Sequence, residues 1–307
     1  CGAAAAVHAA FKLPWVLLWG MRGRCGTSTG VAVTASNVVR ESAANVVVSP
    51  RSSRDRRVGG GRADGRRRQL KKGSMTGSFA SVLSPPGGRV YSFADAVISG
   101  WADDGGMLWP THVPRLDAAT LSAWSALSYP QLRAAVLKCF VAADDVEVTP
   151  ADIDAITLGA FSSFGSADVV DVAELKQSQI HIAELWHGPT LAFKDLGMQV
   201  LGRTLSHLLA RRNERLTLLV GTSGDTGSSA IEAVRNLDRI EIIVLYPMQT
   251  YSSITPVQEW QMTSVAAAAA NVTVVGVEGS SDDLDVPMEA CFRDARYKAR
   301  HRLGSVN

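Results

Sequence analysis

The sequence predicts an α/β protein in which a parallel sheet is flanked by helices. Three observations predict it. Short apolar runs such as Leu216-Thr-Leu-Leu-Val220 and Ile240-Glu-Ile-Ile-Val-Leu-Tyr246 have the length and aliphatic content of strands buried on both faces. Segments with helical apolar spacing, notably Lys194 to Arg211, separate such runs. A glycine-rich turn, Gly221-Thr-Ser-Gly-Asp-Thr-Gly227, leads from one buried run into the next helical segment, as in βαβ units.

Residues 1–74 stand apart from that pattern. They hold 14 Lys/Arg against 3 Asp/Glu, a charge of +11, so the remainder of this +2 chain carries −9. Rich in Ala, Gly, Ser and Arg and without periodicity, they read as a basic low-complexity leader, expected to be disordered. A transit peptide to an organelle is the alternative, and Met75 is a candidate start.

The body begins near Tyr91. Ser92 to Gly100 has a serine N-cap, apolar residues at helical spacing and a closing glycine. Asp103-Asp-Gly-Gly106 predicts a turn, with a short strand from Met107 to Pro110. Helices are expected from Asp117 to Trp124 and from Tyr129 to Ala142, the second with Pro130 in its first turn. Next come a strand at Ile180–Trp186, the helix Lys194–Arg211, a strand at Leu216–Val220 and a helix at Ser228–Asn236. Strands at Ile240–Tyr246 and Asn271–Val277 and a helix from Leu284 to Arg300 complete the pattern. The alanine run Ala266–Ala270 reads as a surface insertion, and Trp101, Trp109 and Trp124 as core residues.

Composition narrows the function. With 46% hydrophobic and 20% charged residues the chain is of ordinary globular type. The acidic body offers no electrostatic footprint for nucleic acid. The longest early apolar stretch, Leu13 to Met21, is interrupted by Pro14 and is far shorter than the roughly 20 residues of a membrane span, so no membrane association is expected. Cys1, Cys25, Cys139 and Cys291 are widely spaced, which fits a reducing, cytoplasmic setting and no metal site. His181 and His207 read as packed or solvated. Nothing in the sequence fixes an oligomeric state.

Two segments carry chemistry. The first, Glu184-Leu-Trp-His-Gly-Pro-Thr-Leu-Ala-Phe-Lys-Asp-Leu-Gly197, places Lys194 between apolar residues and a helix. A lysine amine forms a Schiff base only when it can lose its proton, which a partly desolvated site assists, and Leu191 and Phe193 are the expected apolar wall. Taken alone, the segment reads first as a solvated lysine paired with Asp195. The second, Gly221 to Ser229, is expected to turn N–H groups and hydroxyls toward one anion-binding concavity. It lacks the Gly-Lys-Ser/Thr of a nucleotide P-loop and the spacing of a dinucleotide fingerprint, and alone it could be a capping turn.

Together the two segments resemble the fold-type-II pyridoxal-phosphate enzymes (tryptophan synthase beta-like), and within them the threonine synthase family, including the threonine synthase-like proteins. His187-Gly-Pro-Thr-Leu-Ala-Phe-Lys-Asp195 resembles the cofactor-attachment segment, and Thr222-Ser-Gly-Asp-Thr-Gly227 the substrate-binding loop. Asp225 stands where other relatives usually carry Asn. Ser92–Ala96, Asp103–Pro110, Leu127–Tyr129, Gln258–Thr263 and Gly276–Gly279 are also similar to family segments. Two segments depart from the pattern: Ser84–Arg89 does not reproduce a Ser-Thr-Arg-Gly start, and Pro247–Pro256 lacks the usual basic residue.

The resemblance implies that residues 75–175 are the family's N-terminal region and 176–307 its cofactor-dependent catalytic region. It implies that Lys194 is catalytic and holds pyridoxal 5'-phosphate, with Asp225 and Asn307 near the cofactor. Thr222, Ser223, Gly224, Thr226 and Gly227 are then the groups for a small phosphorylated amino acid. The implied reaction is conversion of O-phospho-L-homoserine and water to L-threonine and phosphate. A threonine synthase-like phospho-lyase releasing 2-oxobutyrate is the close alternative, and a non-catalytic fragment a third. The family's glycine-rich phosphate cup is expected beyond Asn307, so the chain reads as C-terminally truncated and a weak holder of the cofactor.

Overall fold

The structure, a computed structural model, describes residues 77–175 and 180–306. The leader, Met75 and Asn307 lie outside the described residues. A small antiparallel sheet comes first: β1 (Ser78–Ser81) lies between β2 (Val90–Ser92) and β3 (Leu108–Pro110), with Phe79 opposite both Tyr91 and Pro110. Pro110 sits on an edge strand, where a missing N–H breaks no inner ladder. Helix α1 (Phe93–Ser99) follows directly, with the expected caps: the Ser92 hydroxyl accepts the Asp95 N–H, and Gly100 ends the helix at φ 66°.

Helices α2 (Ala118–Trp124), α3 (Tyr129–Lys138) and α4 (Pro150–Ala160) come next. Helix α3 stops four residues before the expected Ala142. Its last turn tightens where Cys139 N–H bonds the Val136 carbonyl, and the Asp145 carboxylate then holds a turn by accepting from the N–H groups of Glu147 and Val148. Helix α4 goes beyond the expected elements, although its start is written locally: Thr149 and Asp152 form a reciprocal capping box around Pro150.

Strands β4 (Asp171–Leu175) and β5 (Ile180–Glu184) form an antiparallel hairpin. The expected strand at Ile180 therefore lies outside the parallel sheet. Its alternation with helices is only sequential, and β5 has exposed residues at 180–182, unlike a doubly covered strand.

The C-terminal elements build the parallel sheet. Helix α5 (Asp195–Arg212) leads to β6 (Leu216–Gly221), α6 (Asp225–Val234), β7 (Ile240–Pro247), α7 (Pro256–Ala266) and β8 (Val272–Val277). Helices α8 (Asp285–Arg293) and α9 (Ala295–His301) then lead to a two-residue strand, β9 (Leu303–Gly304). The order is β8-β7-β6-β9, all parallel, with Leu218 opposite Ile242 and Gly304. Helix α6 starts at Asp225, three residues before the expected Ser228. The single helix expected from Leu284 to Arg300 is two, because Asp294 adopts ψ 97° and its carboxylate caps α9 at the N–H groups of Arg296 and Tyr297.

Packing corrects two further expectations. The alanine run is a surface segment only in part: Ala267, Ala268 and Ala270 are exposed, but Ala266 closes α7 and Ala269 is buried in the sheet core beside Val272. Trp101 and Trp109 are exposed and Trp124 half-buried, so none of the three is a core residue. Among the described residues the core is instead three hydrophobic clusters that share α5. Leu205 and Leu209 pack on the sheet with Leu218, Ile231 and Ile242; Leu208 joins Phe93 and Val148; Val200 joins Tyr129 and Phe161. Gly202 lets α5 approach α6, since a Cβ there would strike the Ala233 carbonyl oxygen. At the end of α5, Arg212 binds Glu147 through two nitrogens at 2.6 and 2.9 Å and Asp95 at 2.9 Å. No helix among the described residues is long and apolar enough to cross a membrane.

Candidate functional site

The turn between β5 and α5 presents Lys194. Leu191 N–H bonds the Gly188 carbonyl and Asp195 N–H that of Ala192, which coils the chain into the helix with Lys194 as its N-cap residue. Asp195 is fully buried and does not meet Lys194. Its carboxylate accepts from the Thr190 N–H at 2.8 Å and the Thr190 hydroxyl at 2.7 Å, and at a helix N-terminus its charge is favoured. Gly188 is needed beside it, because a Cβ there would collide with this carboxylate.

The loop after β6 presents the second set. Thr222 is buried, and its hydroxyl oxygen accepts from Gly224 N–H at 3.0 Å and Gly227 N–H at 2.9 Å. Two of the N–H groups expected to face an anion are thus committed within the loop. Those of Asp225 and Thr226, in the first turn of α6, have no preceding carbonyl of that helix to bond. Gly224 has φ 140°, and a Cβ there would lie 2.7 Å from the Gln258 side chain. Ser223 is exposed and Thr226 half-buried.

The fold brings the two segments together. Lys194 Nζ lies 3.8 Å from Asp225 Oδ2, its side chain 26% exposed, and 4.5 Å from the centre of the Phe193 ring. Phe193 is therefore a wall for the amine, whereas Leu191 is 70% exposed and is not. The other oxygen of Asp225 accepts from Gln258 Nε2 at 2.7 Å. Gln258 is itself oriented, its Oε1 accepting from the N–H and hydroxyl of Thr255 at 2.9 and 3.0 Å. Behind the site Thr190 and Ser229 share a hydroxyl hydrogen bond of 2.9 Å, and Gln261 donates to the Thr190 carbonyl at 3.3 Å. Nearby, burial pushes the Glu232 carboxyl above its ordinary range; Arg235 offsets this in part and the Asp195 charge adds to it.

Thr190, Ser229, Gln258 and Gln261 are the positioning groups that motif reading missed. Thr190 and Ser229 lie inside or beside the two motifs; the two glutamines sit on α7, whose sequence says nothing of the loop it backs. Asn307 falls outside the described residues. What remains is an amine that one carboxylate and one ring hold in place, opposite a loop with helix-terminal N–H groups. Such a site can condense with a carbonyl, move a proton and bind an anion.

This fold is of the kind found in fold-type-II pyridoxal-phosphate enzymes. Residues 86–161 match the threonine synthase N terminus family. Over 217 residues the chain is 44% identical to threonine synthase-like 2 of Rattus norvegicus, covering 70% of this chain and 43% of that protein. It is 36% identical to threonine synthase of Pseudomonas aeruginosa over 216 residues, 70% of this chain and 44% of that one. The crystal structure of pyridoxal-phosphate-bound threonine synthase from Brucella melitensis superposes with a TM-score of 0.66 at 33% identity, covering 75% of this chain and 47% of that one. The chain is thus similar to threonine synthases and threonine synthase-like proteins, and it spans about half the length of the curated relatives it matches.

Proposed function

We propose that the chain carries the lysine-bearing half of a pyridoxal 5'-phosphate enzyme that acts on O-phospho-L-homoserine to give L-threonine and phosphate. The approach of Lys194 to Asp225, across two segments 31 residues apart in sequence, carries this reading. The residues fit the cofactor: the amine is partly desolvated and open on one side, beside a ring and a carboxylate. Lys194 would hold it through Nζ. When bound, the cofactor supplies a conjugated ring that draws electrons from the substrate carbon bearing the amine.

The chain's own groups then do the positioning and proton transfer. Lys194 Nζ removes a proton from substrate Cα and one from Cβ as phosphate leaves Cγ; it returns one to Cγ and, once water has added at Cβ, one to Cα, the proton lost by that water going to the released phosphate. Asp225, fixed by Gln258, holds the charged amine near the loop between transfers. Ser223, Thr226 and the N–H groups opening α6 receive the substrate carboxylate. Thr222, Gly224 and Gly227 keep that loop in shape, the first by its hydroxyl and the others by their N–H groups and lack of Cβ.

A second reading, a phospho-lyase that releases 2-oxobutyrate, is supported by the higher identity to threonine synthase-like 2 than to threonine synthase, 44% against 36%. Both readings require the same lysine. Reduction with borohydride after incubation with pyridoxal phosphate should place a stable label on Lys194 in peptide mass mapping, and Lys194→Ala should abolish it. A label on other lysines alone sinks both readings. Incubation with O-phospho-L-homoserine then separates them: threonine supports the first, and 2-oxobutyrate without threonine overturns it in favour of the second.

A further inference from the structure

Away from the Lys194 amine, three metal-ligating side chains converge where the β4–β5 hairpin meets the lysine segment. Asp171 opens β4 and Glu184 closes β5, and the ladder sets the two directly opposite each other. His187 lies three residues after Glu184, with its Nε2 3.0 Å from Glu184 Oε2 and 3.2 Å from Asp171 Oδ2. The ligand atoms of the three all lie within 4.8 Å of one another. A single imidazole N–H makes one good hydrogen bond, so two carboxylates aimed at the same nitrogen leave negative charge unbalanced. A cation among the three would balance it.

The dimensions fit such an ion. Metal–ligand bonds of about 2.0–2.2 Å at tetrahedral angles set donors roughly 3.3–3.6 Å apart; the histidine–carboxylate separations of 3.0 and 3.2 Å fall just short of that range, and the two carboxylates lie within 4.8 Å of each other. The surroundings hold the donors as metal sites do. Ser166 donates its hydroxyl to the second Asp171 oxygen at 2.9 Å, and Gly165 N–H bonds the His187 carbonyl at 2.8 Å. The three side chains are 38, 26 and 21% exposed in chain order, which leaves an open side for water as the remaining ligand.

We propose that Asp171, Glu184 and His187 bind one divalent cation of the zinc class. One imidazole with two carboxylates is a nitrogen and oxygen donor set suited to Zn²⁺ over the all-oxygen preference of Mg²⁺ or Ca²⁺. The ion fastens the hairpin to the segment that, seven residues on, carries Lys194. The site is independent of the reaction proposed above.

The test is a Zn²⁺ titration of chelator-treated protein by calorimetry, repeated with His187→Gln, Asp171→Asn and Glu184→Gln, with unliganded melting curves to establish folding. Co²⁺ serves as the spectroscopic probe, and because the Trp186 ring lies 5.8 Å from the His187 ring, its binding should quench Trp186 fluorescence. The expected result is one saturable equivalent of Zn²⁺, weakened at least about tenfold in each folded variant, with Mg²⁺ unable to compete at equal concentration. Absence of saturable binding overturns the proposal, as does binding that all folded variants retain or that Mg²⁺ displaces. Asp171→Asn and Glu184→Gln keep the test open should the histidine variant misfold.

Discussion

Thr222 shows how a residue can matter to a site through the loop it holds. Its hydroxyl holds two loop N–H groups, and the loop closes onto core side chains through Gly227. A Cβ at Gly227 would lie 2.6 Å from Thr222 Cγ2, 2.7 Å from Met262 Sδ and 3.0 Å from Val244 Cγ1. Since Met262 and Val244 are fully buried, none of these atoms can retreat into solvent. Gly227→Ala should therefore cost about 1–3 kcal/mol in urea denaturation. An unchanged midpoint would show that the loop yields more freely than this packing implies. The glycines and threonine were legible in the sequence as a motif. Their division of labour was not, because it depends on which hydroxyl turns inward.

At the scale of elements, local chemistry wrote the helix starts. Ser92, Asp117 and Thr149 each cap a helix with a side-chain oxygen. In the Thr149 box, the Thr149 hydroxyl and then its N–H hold the Asp152 carboxyl below its ordinary value of 3.8; Thr120 N–H does the same for Asp117. Because these folded-state values are depressed, the capping contribution is complete above the unfolded value near 3.8 and is lost as pH falls through the folded one. The melting temperature should thus decline below about pH 4, with a shallower decline in Asp152→Asn, which keeps an acceptor but does not titrate. Both groups face solvent, so the difference is small, and parallel acid limbs would show that the box contributes nothing to it. Strands β4 and β9 were illegible by contrast. One is partly exposed and the other only two residues long, and each exists because a partner strand supplies its hydrogen bonds.

For the whole molecule, α5 is the member on which the three cores meet, and the lysine stands at its N-terminus. Leu208 is fully buried and ties the first sheet's helix to this spine. Leu208→Ala should cost about 3 kcal/mol and speed proteolysis of residues 77–160 relative to the parallel sheet; equal protection of both regions would show that the second core is not what joins them. The helix itself was legible from its apolar stripe. Its division among three cores was not, since the stripe records only that a face is buried and not against what.

The sequence by itself determined the α/β class, most helix starts and the two segments that carry the chemistry, because caps, glycine turns and apolar periods act over a few residues. Only the tertiary structure decided that Lys194 faces Asp225 while Asp195 turns inward to Thr190, that Gln258 backs the carboxylate, and that Asp171, Glu184 and His187 converge. Those pairings follow from strand order and register, which set distances between residues far apart in the chain and leave no local trace in it.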